Sequence, residues 1–179
     1  MNRRRKTSPW AWIPTLYIAE GLPYFAVNVM TVVMYTNLGV SKTDMALLTG
    51  WLYLPWVIKP IWSPFVDIIR TKRWRHENVM NAFLIAVALA GVAFALQLPA
   101  YLALTLTFFW LMAFFSATHD IAADGYYMLE LTQHDQAAYV GVRSTFYRIA
   151  SVIGQGGLIY LAGKLEASKA PSKMQSLTE

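Results

Sequence analysis

The sequence predicts an all-α membrane protein with five transmembrane helices. Hydrophobic residues make up 56% of the 179 positions, charged residues make up 14%, and the mean hydropathy is +0.38. A soluble domain of this length needs far less apolar surface to fill its core. Five apolar stretches reach or approach the about 20 residues that a helix needs to cross the hydrocarbon of a bilayer. The composition therefore favours a multi-pass protein in contact with the lipid bilayer.

The five predicted spans follow one another with short connections. They cover residues 10–36, 45–65, 79–98, 101–131 and 140–162. A basic segment, residues 1–9, precedes them, and a polar segment, residues 164–179, follows them. We therefore expect a cytoplasmic N-terminus, a five-helix transmembrane bundle over residues 10–163, and a disordered tail.

Basic residues are concentrated in two segments that flank spans. Four lie within residues 3–6, before span 1, and four lie within residues 70–75, between spans 2 and 3. Because Lys and Arg accumulate in cytoplasmic loops, this distribution predicts that both segments are cytoplasmic. An odd number of spans then places the tail outside, yet the tail carries Lys164, Lys169 and Lys173. This conflict favours a piece of a larger protein over the alternative, a complete five-span protein.

Several classes of function lack their usual residues in this sequence. It contains no Cys, no Gly-rich phosphate loop and no nucleophile motif. We therefore predict no enzyme activity, no cofactor and no metal site, although His119, Asp120 and Asp124 could be arranged around a metal ion. The net charge of +5 does not predict nucleic-acid binding, because eight of the fifteen Lys and Arg fall in the two clusters beside spans.

Six ionisable residues lie inside the apolar stretches or at their ends, and they are the main candidates for a functional site. A charge in hydrocarbon costs at least about 2.5 to 3.5 kcal/mol on insertion scales, so such residues face a bundle interior or a water-filled path and have partners. We predict that five of them form a proton-coupling and substrate path and that the sixth, Arg143, forms an ion pair. The other five are Glu20, Lys59, Asp120, Asp124 and Arg148.

Counting from the turn of a helical hairpin identifies residues at equal depth. For spans 1 and 2, a turn near residues 39–41 puts Glu20 level with Lys59, close to the middle of the bilayer. A single carboxyl at this depth can titrate when its Lys partner moves, which favours a functional role for Glu20.

The same count for spans 4 and 5, with a turn at residues 132–136, predicts two further pairs. Asp120 is level with Ile149, next to Arg148, and Asp124 is level with Thr145, close to Arg143. Asp120 and Asp124 are four residues apart and therefore share a helix face. Two interpretations stay open: the pairs fix the helix register, or they bind protons or substrate and exchange partners between conformations.

Three motifs at these positions resemble those of a known transporter family. They are Gly21-Leu22-Pro23 in span 1, the K-x-x-W-S-P-x-x-D pattern of residues 59–67 in span 2, and the D-I-x-x-D pattern of residues 120–124 in span 4. Together they are similar to the AmpG-type muropeptide permeases. Those permeases and the acetyl-CoA transporters form one branch of the major facilitator superfamily. The resemblance covers residues 10–163.

The resemblance implies a transporter with two six-helix halves that imports muropeptides by proton symport across the bacterial inner membrane. The chain would supply helices 1 to 5, an incomplete N-terminal half of the major facilitator fold. We therefore expect it to be inactive alone and to need the missing C-terminal half as a partner. The segment Asp67, Arg70 and Arg73 is similar to the gating motif of the superfamily between helices 2 and 3.

Two other functions compete with a muropeptide importer. A transporter of another sugar, peptide or acyl-CoA cargo would have the same sequence features, because the central site is shared with helices that this chain lacks. A small membrane scaffold or interaction protein without transport activity belongs to a different class. Coding sequence for more spans directly downstream would favour a transporter, and its absence would favour the scaffold.

Overall fold

A computed structural model of the chain describes residues 8–69, 74–157, 159–160 and 163–164. Within these ranges the fold is helical and contains no strand. Three short segments deviate from α-helical geometry: π-helical turns at Ala26–Met30 and Ile153–Gly157, and a 3-10 turn at Trp51–Tyr53. The α-helices are α1 (Pro9–Phe25), α2 (Thr31–Asn37), α3 (Lys42–Gly50), α4 (Leu54–Ile69), α5 (Trp74–Ala95), α6 (Tyr101–Glu130) and α7 (Gln133–Val152).

These elements form five helical rods that correspond to the five predicted spans. The first rod joins α1, a π turn and α2, and the second joins α3, the 3-10 turn and α4. Helices α5 and α6 are single rods, and α7 continues into the second π turn. The expectation of five helices is therefore confirmed, with the second rod beginning at Lys42 and the fifth at Gln133.

Two predicted turns are fixed by local sequence. Gly39 adopts a positive φ of 76°, which a residue without Cβ tolerates, and it reverses the chain between α2 and α3. The Ser41 hydroxyl then accepts a hydrogen bond from the Asp44 backbone N–H at 3.1 Å and caps α3. In the same way, the Thr132 hydroxyl accepts from the Asp135 backbone N–H at 3.2 Å and caps α7. Both are N-caps with an acid in the first helical turn, which the helix dipole favours.

Prolines lie close to the irregular segments of the first two rods. Pro14 and Pro23 are inside α1, and the first π turn begins three residues after Pro23. Pro60 and Pro64 are inside α4. Pro55 is the second residue of α4, just after the 3-10 turn, and because it has no N–H it cannot donate to the carbonyl four residues earlier. The irregular segments of these two rods therefore lie close to positions where proline removes a backbone donor.

Helix α6 is the central element of the described fold. It contacts α5, α4 and α1, while α1 also packs along α7. One apolar cluster joins the first π turn, the 3-10 turn, α4, α5 and α6 through residues that include Val27, Leu52 and Met112. A second cluster, around Ile13 and Tyr127, joins α1 to α6 and to α7. The central position of α6 brings its polar residues within reach of three other helices.

Two of the rods are long and apolar enough to cross a membrane by length and composition. They are Pro9–Asn37, with 29 residues, and Tyr101–Glu130, with 30 residues. Val79–Ala95 is a shorter apolar helix. Large apolar side chains are also exposed on the outer faces of α4 and α5, among them Ile61, Phe65 and Phe83.

Candidate functional site: a buried charge cluster

A cluster of ionisable side chains lies where α1, α4, α6 and α7 meet. Helix α6 contributes Asp120 and Asp124 from a stretch in which every residue from Ser116 to Ala123 except Thr118 is buried. Because the two acids are four residues apart, they share one helix face. Glu20 comes from α1, and the cations Lys59 and Arg143 come from α4 and α7. The cluster thus combines three acids with two bases.

Asp124 forms the closest ion pair of the cluster. Its Oδ1 lies 2.7 Å from Nη2 of Arg143, which confirms the pair predicted from the hairpin of spans 4 and 5. The hydroxyl of Tyr17 donates to the same Oδ1 at 3.4 Å. The Arg143 guanidinium also lies over the Tyr17 ring, with Cζ 4.7 Å from the ring centre. Asp124 and Arg143 are therefore held by a hydrogen-bonded and cation–π arrangement.

Asp120 pairs with Lys59, not with Arg148 as predicted. The Lys59 Nζ atom is 3.9 Å from Asp120 Oδ2, a much longer contact than that of Asp124. The other oxygen, Oδ1, and the nearby Trp56 Nε1 are both buried, and neither meets hydrogen-bond geometry with any described residue, although the indole is close enough to act on the carboxylate. Asp120 is consequently under-coordinated, although only 6% of its surface is exposed.

Glu20 is the acid of the cluster that has no cation partner within ion-pair distance among the described residues. The predicted pair with Lys59 is wrong, because Lys59 contacts Asp120 instead. Glu20 is 8% exposed, and its Oε2 is buried with no hydrogen-bond partner in the part of the chain that the structure describes. The charges that act on it are the acids Asp120 and Asp124 and the cations Arg143 and Lys59.

Arg148 lies outside the cluster for a geometric reason. At 3.6 residues per turn, positions five apart are separated by about 140° around a helix. Once Arg143 faces Asp124 on α6, Arg148 must point away from α6. Its side chain is exposed, forms no ion pair with the described residues, and borders a cavity between α1 and α7. The predicted pair of Asp120 with Arg148 is therefore wrong, because counting along the hairpin does not include direction around the helix.

Close backbone approach between α1 and α7 brings the cluster together. A Cβ atom on Gly21 would lie 2.8 Å from the Cβ of Ala150, and one on Gly154 would lie 2.8 Å from the Cβ of Phe25. Only glycine fits at these two positions without displacing a helix. The crossing at Gly21 is one residue from Glu20, so it also fixes the depth at which Glu20 meets α6 and α7.

The structure adds one residue, Tyr17, that sequence reasoning missed. Tyr17 is fully buried, binds Asp124 and carries Arg143 on its ring. Its position three residues before Glu20, on the same helix face, is the signal that could have identified it. His119, already named in the sequence analysis, is buried as well, and its Nδ1 has no hydrogen-bond partner among the described residues. In the part of the chain that the structure describes, no group of three His, Cys, Asp or Glu could hold a metal ion.

The predicted gating residues stay untested by the structure. Arg70 and Arg73 lie outside the described residues. Asp67 belongs to α4, but its side chain is outside the described part. Their assignment to a gate between helices 2 and 3 therefore stays a prediction.

Long apolar helices with a buried charge cluster between them are typical of a membrane transporter, and comparison with known proteins agrees with that class. The chain belongs to the BT1 family, which it matches over residues 18–175. The predicted resemblance to the branch that contains the AmpG and acetyl-CoA transporters is therefore confirmed.

Curated relatives support the same class. The chain is 31% identical over 151 residues to an uncharacterized protein of Haemophilus influenzae, covering 80% of this chain and 34% of that protein. It is 29% identical over 163 residues to "Putative transporter AmpG 4" of Rickettsia conorii, covering 82% of this chain and 36% of the relative. It is 28% identical over 113 residues to "Putative transporter AmpG 3" of Rickettsia prowazekii, covering 59% of this chain and 27% of the relative. The chain thus spans about a third of the length of these relatives. No solved structure matches it.

Proposed function

We propose that the chain forms the first part of a proton-coupled secondary transporter that imports muropeptide-like solutes across the bacterial inner membrane. Its five rods would cross the bilayer, with the N-terminus in the cytoplasm. The relatives named as AmpG transporters support the transporter class, the motif resemblance to muropeptide permeases suggests the cargo, and the long apolar rods support the membrane location. Transport would need the helices that make up the remaining two thirds of such relatives.

The observation that carries this proposal is the charge imbalance of the buried cluster. Arg143 neutralises Asp124, and Lys59 contacts Asp120, so Glu20 is left without a cation of its own. An ionised carboxylate that is buried without a partner is very costly, whereas a neutral carboxyl group is tolerated. Glu20 is therefore suited to carry the transported proton.

Exchange of Lys59 between two acids would link the proton to a conformational change. Lys59 is 3.9 Å from Asp120, and its charge also acts on Glu20. If Lys59 moves to Glu20, the proton of Glu20 is released and Asp120 loses its cation. Two conformations with different proton affinity are what a gradient needs to drive a cycle. In this scheme, Lys59, Asp120 and Glu20 couple the proton, Asp124 and Arg143 hold α6 against α7, and Arg148 contacts the solute.

Uptake by a split transporter tests the coupling role of Glu20. The chain would be co-expressed with the remaining two thirds of the Haemophilus influenzae relative and reconstituted in vesicles, and the relative's own first third would serve as the positive control. We expect Glu20→Gln to abolish accumulation of a labelled muropeptide driven by a pH gradient while exchange of solute remains measurable. Glu130→Gln, an exposed acid at the end of α6, is the matched control.

Accumulation by Glu20→Gln against a gradient would contradict the proposal. So would inactivity of the pair that contains this chain while the positive control is active. The split design makes these two results separable, because the first concerns the coupling residue and the second concerns transport as such.

Cysteine labelling tests the proposed orientation, since the chain has no native Cys. Lys42 and Glu130 are exposed at opposite ends of the described fold. We expect a membrane-impermeant maleimide to label Lys42→Cys in intact spheroplasts and to label Glu130→Cys only after the membrane is opened. The reverse pattern would overturn the orientation.

A further inference from the structure

A cavity of about 490 Å³ opens between α1 and α7, beside the charge cluster. Its volume is within the range of about 300 to 1,000 Å³ that small-molecule sites occupy. Tyr17 and Phe25 border it from α1, and Arg143, Tyr147 and Arg148 border it from α7. Two arginines line the cavity and no carboxylate does; because Arg143 is paired with Asp124, the uncompensated positive charge of the lining is that of Arg148.

Arg148 is the cation of the cavity without an acidic partner. It forms no ion pair with residues in the described ranges, and the two acids of α6 contact Lys59 and Arg143. In a protein that spans a membrane, an uncompensated guanidinium is costly and normally marks a ligand path. The planar guanidinium offers paired N–H donors that match a carboxylate or phosphate. The partner of Arg148 is therefore expected inside the cavity.

The remaining polar groups of the cavity can also donate hydrogen bonds. Ser144 and Ser151 lie on α7 near Arg148 and line the same space. The Ser151 Oγ already accepts a hydrogen bond from Gln155 Nε2 at 3.0 Å, so its own proton is available for a ligand. Arg143 has further N–H groups that can donate to a ligand, because its ion pair with Asp124 uses the nitrogen Nη2. Donors thus converge from two turns of one helix, as an anion requires.

We propose that this cavity binds the anionic group, a carboxylate or a phosphate, of the transported solute, with Arg148 as the main contact and Arg143 as the second. This inference depends on the proposed function for the identity of the ligand as a transported solute. Binding of the anion beside Arg143 would place the solute next to Asp124 and, through Tyr17, close to Glu20.

Calorimetric titration of the full chain in lipid nanodiscs, at one pH and without a gradient, tests the proposal. The probes are muramyl dipeptide, which carries one carboxylate, its uncharged amide, and coenzyme A, which carries phosphates. We expect at least one anionic probe to bind, and Arg148→Gln to weaken its binding about tenfold or more. Arg148→Lys should give an intermediate loss of affinity, since it keeps the positive charge but not the paired N–H donors of the guanidinium. Lys42→Gln, an exposed cation far along the chain from the cavity, should have no effect.

Preference for muramyl dipeptide over its amide would identify the carboxylate as the ligand group, and preference for coenzyme A would identify the phosphate. Absence of binding by both anionic probes would overturn the proposal, as would equal binding by Arg148→Gln and Lys42→Gln. Failure of the proposed function has a different signature: no pH-driven uptake, with anion binding still dependent on Arg148. Normal uptake, together with anion binding that Arg148→Gln does not weaken, would refute only the proposed anion site and not the proposed transport function.

Discussion

The two acids of α6 lie one helical turn apart but differ in how they are held. Asp124 is 2.7 Å from Arg143 and receives a second hydrogen bond from Tyr17. Asp120 is 3.9 Å from Lys59, is more deeply buried, and its Oδ1 accepts no hydrogen bond from the described residues. The carboxylate of Asp124 is well paired and gains little from rearrangement. The carboxylate of Asp120 still has an oxygen that could accept a hydrogen bond. In the proposed cycle, Asp124 with Arg143 would fix the packing and Lys59 would be the mobile charge.

We expect the largest loss of stability from a substitution that separates α1 and α7, because their close approach brings the two acids of α6 to their partners. Gly21→Leu would force a side chain against Ala150 and the Tyr147 backbone, so we expect a loss of about 1 to 3 kcal/mol in the free energy of unfolding. Unfolding in mixed detergent and dodecyl sulfate micelles, followed by circular dichroism, measures this loss. Gly156→Leu is the matched control, because nothing lies within 4 Å of a Cβ there. Equal destabilisation by both variants would contradict the α1–α7 crossing.

A double-mutant cycle on Asp124 and Arg143 should show the next largest effect. We expect Asp124→Asn and Arg143→Gln to be coupled by about 1 to 2 kcal/mol in the same unfolding assay, because the contact is short and charge-assisted. Both side chains are about a third exposed, which keeps the coupling below that of a fully buried pair. Additive single changes would show that the pair does not hold the two helices together.

The same cycle on Lys59 and Asp120 should give a smaller coupling, below about 1 kcal/mol, because the contact is long and leaves Oδ1 unsatisfied. This pair should instead have its main effect on transport, where Lys59→Gln lowers pH-driven accumulation in the split transporter. A coupling energy larger than that of Asp124 and Arg143 would reverse the assignment of the mobile and the fixed pair.

The smallest effect is expected for Asp120 and Arg148, the pair that counting along the hairpin predicts and the structure does not contain. Asp120→Asn and Arg148→Gln should be additive within about 0.3 to 0.5 kcal/mol. Since both residues lie on the same hairpin as Asp124 and Arg143, they serve as its internal control. A clear coupling between them would restore the original pairing.

These pairs also show how far the sequence determines the site. Depth within a hairpin follows from the turn position and the rise per residue, so Asp124 and Arg143 were matched correctly. That count does not include direction around a helix. Arg148 points about 140° away from Arg143, which is why the predicted pair of Asp120 with Arg148 was wrong. The contact of Lys59 with Asp120 joins rods that are not consecutive in sequence, and pairing of that kind depends on how the whole bundle is arranged.

The fold was predictable to a similar extent. Five apolar stretches with turns near Gly39 and Thr132 gave the five rods, because turn and capping residues act locally. The π turns at Ala26–Met30 and Ile153–Gly157 were not predicted, since one extra residue in a turn does not change an apolar pattern visibly. The close approach at Gly21 also needs a partner helix, so the Gly-Leu-Pro motif indicated a family and not a contact.

Infrared spectroscopy of the chain in lipid nanodiscs tests the central claim, that Glu20 carries the proton of the cluster, most directly. A protonated carboxyl group has a carbonyl band that an ionised one lacks, and near neutral pH the exposed acids are ionised. We expect such a band in the unmodified chain, its loss in Glu20→Gln, and its retention in Glu130→Gln. A band that persists in Glu20→Gln but disappears in Asp120→Asn, or no band in the unmodified chain, would contradict the assignment of the proton to Glu20.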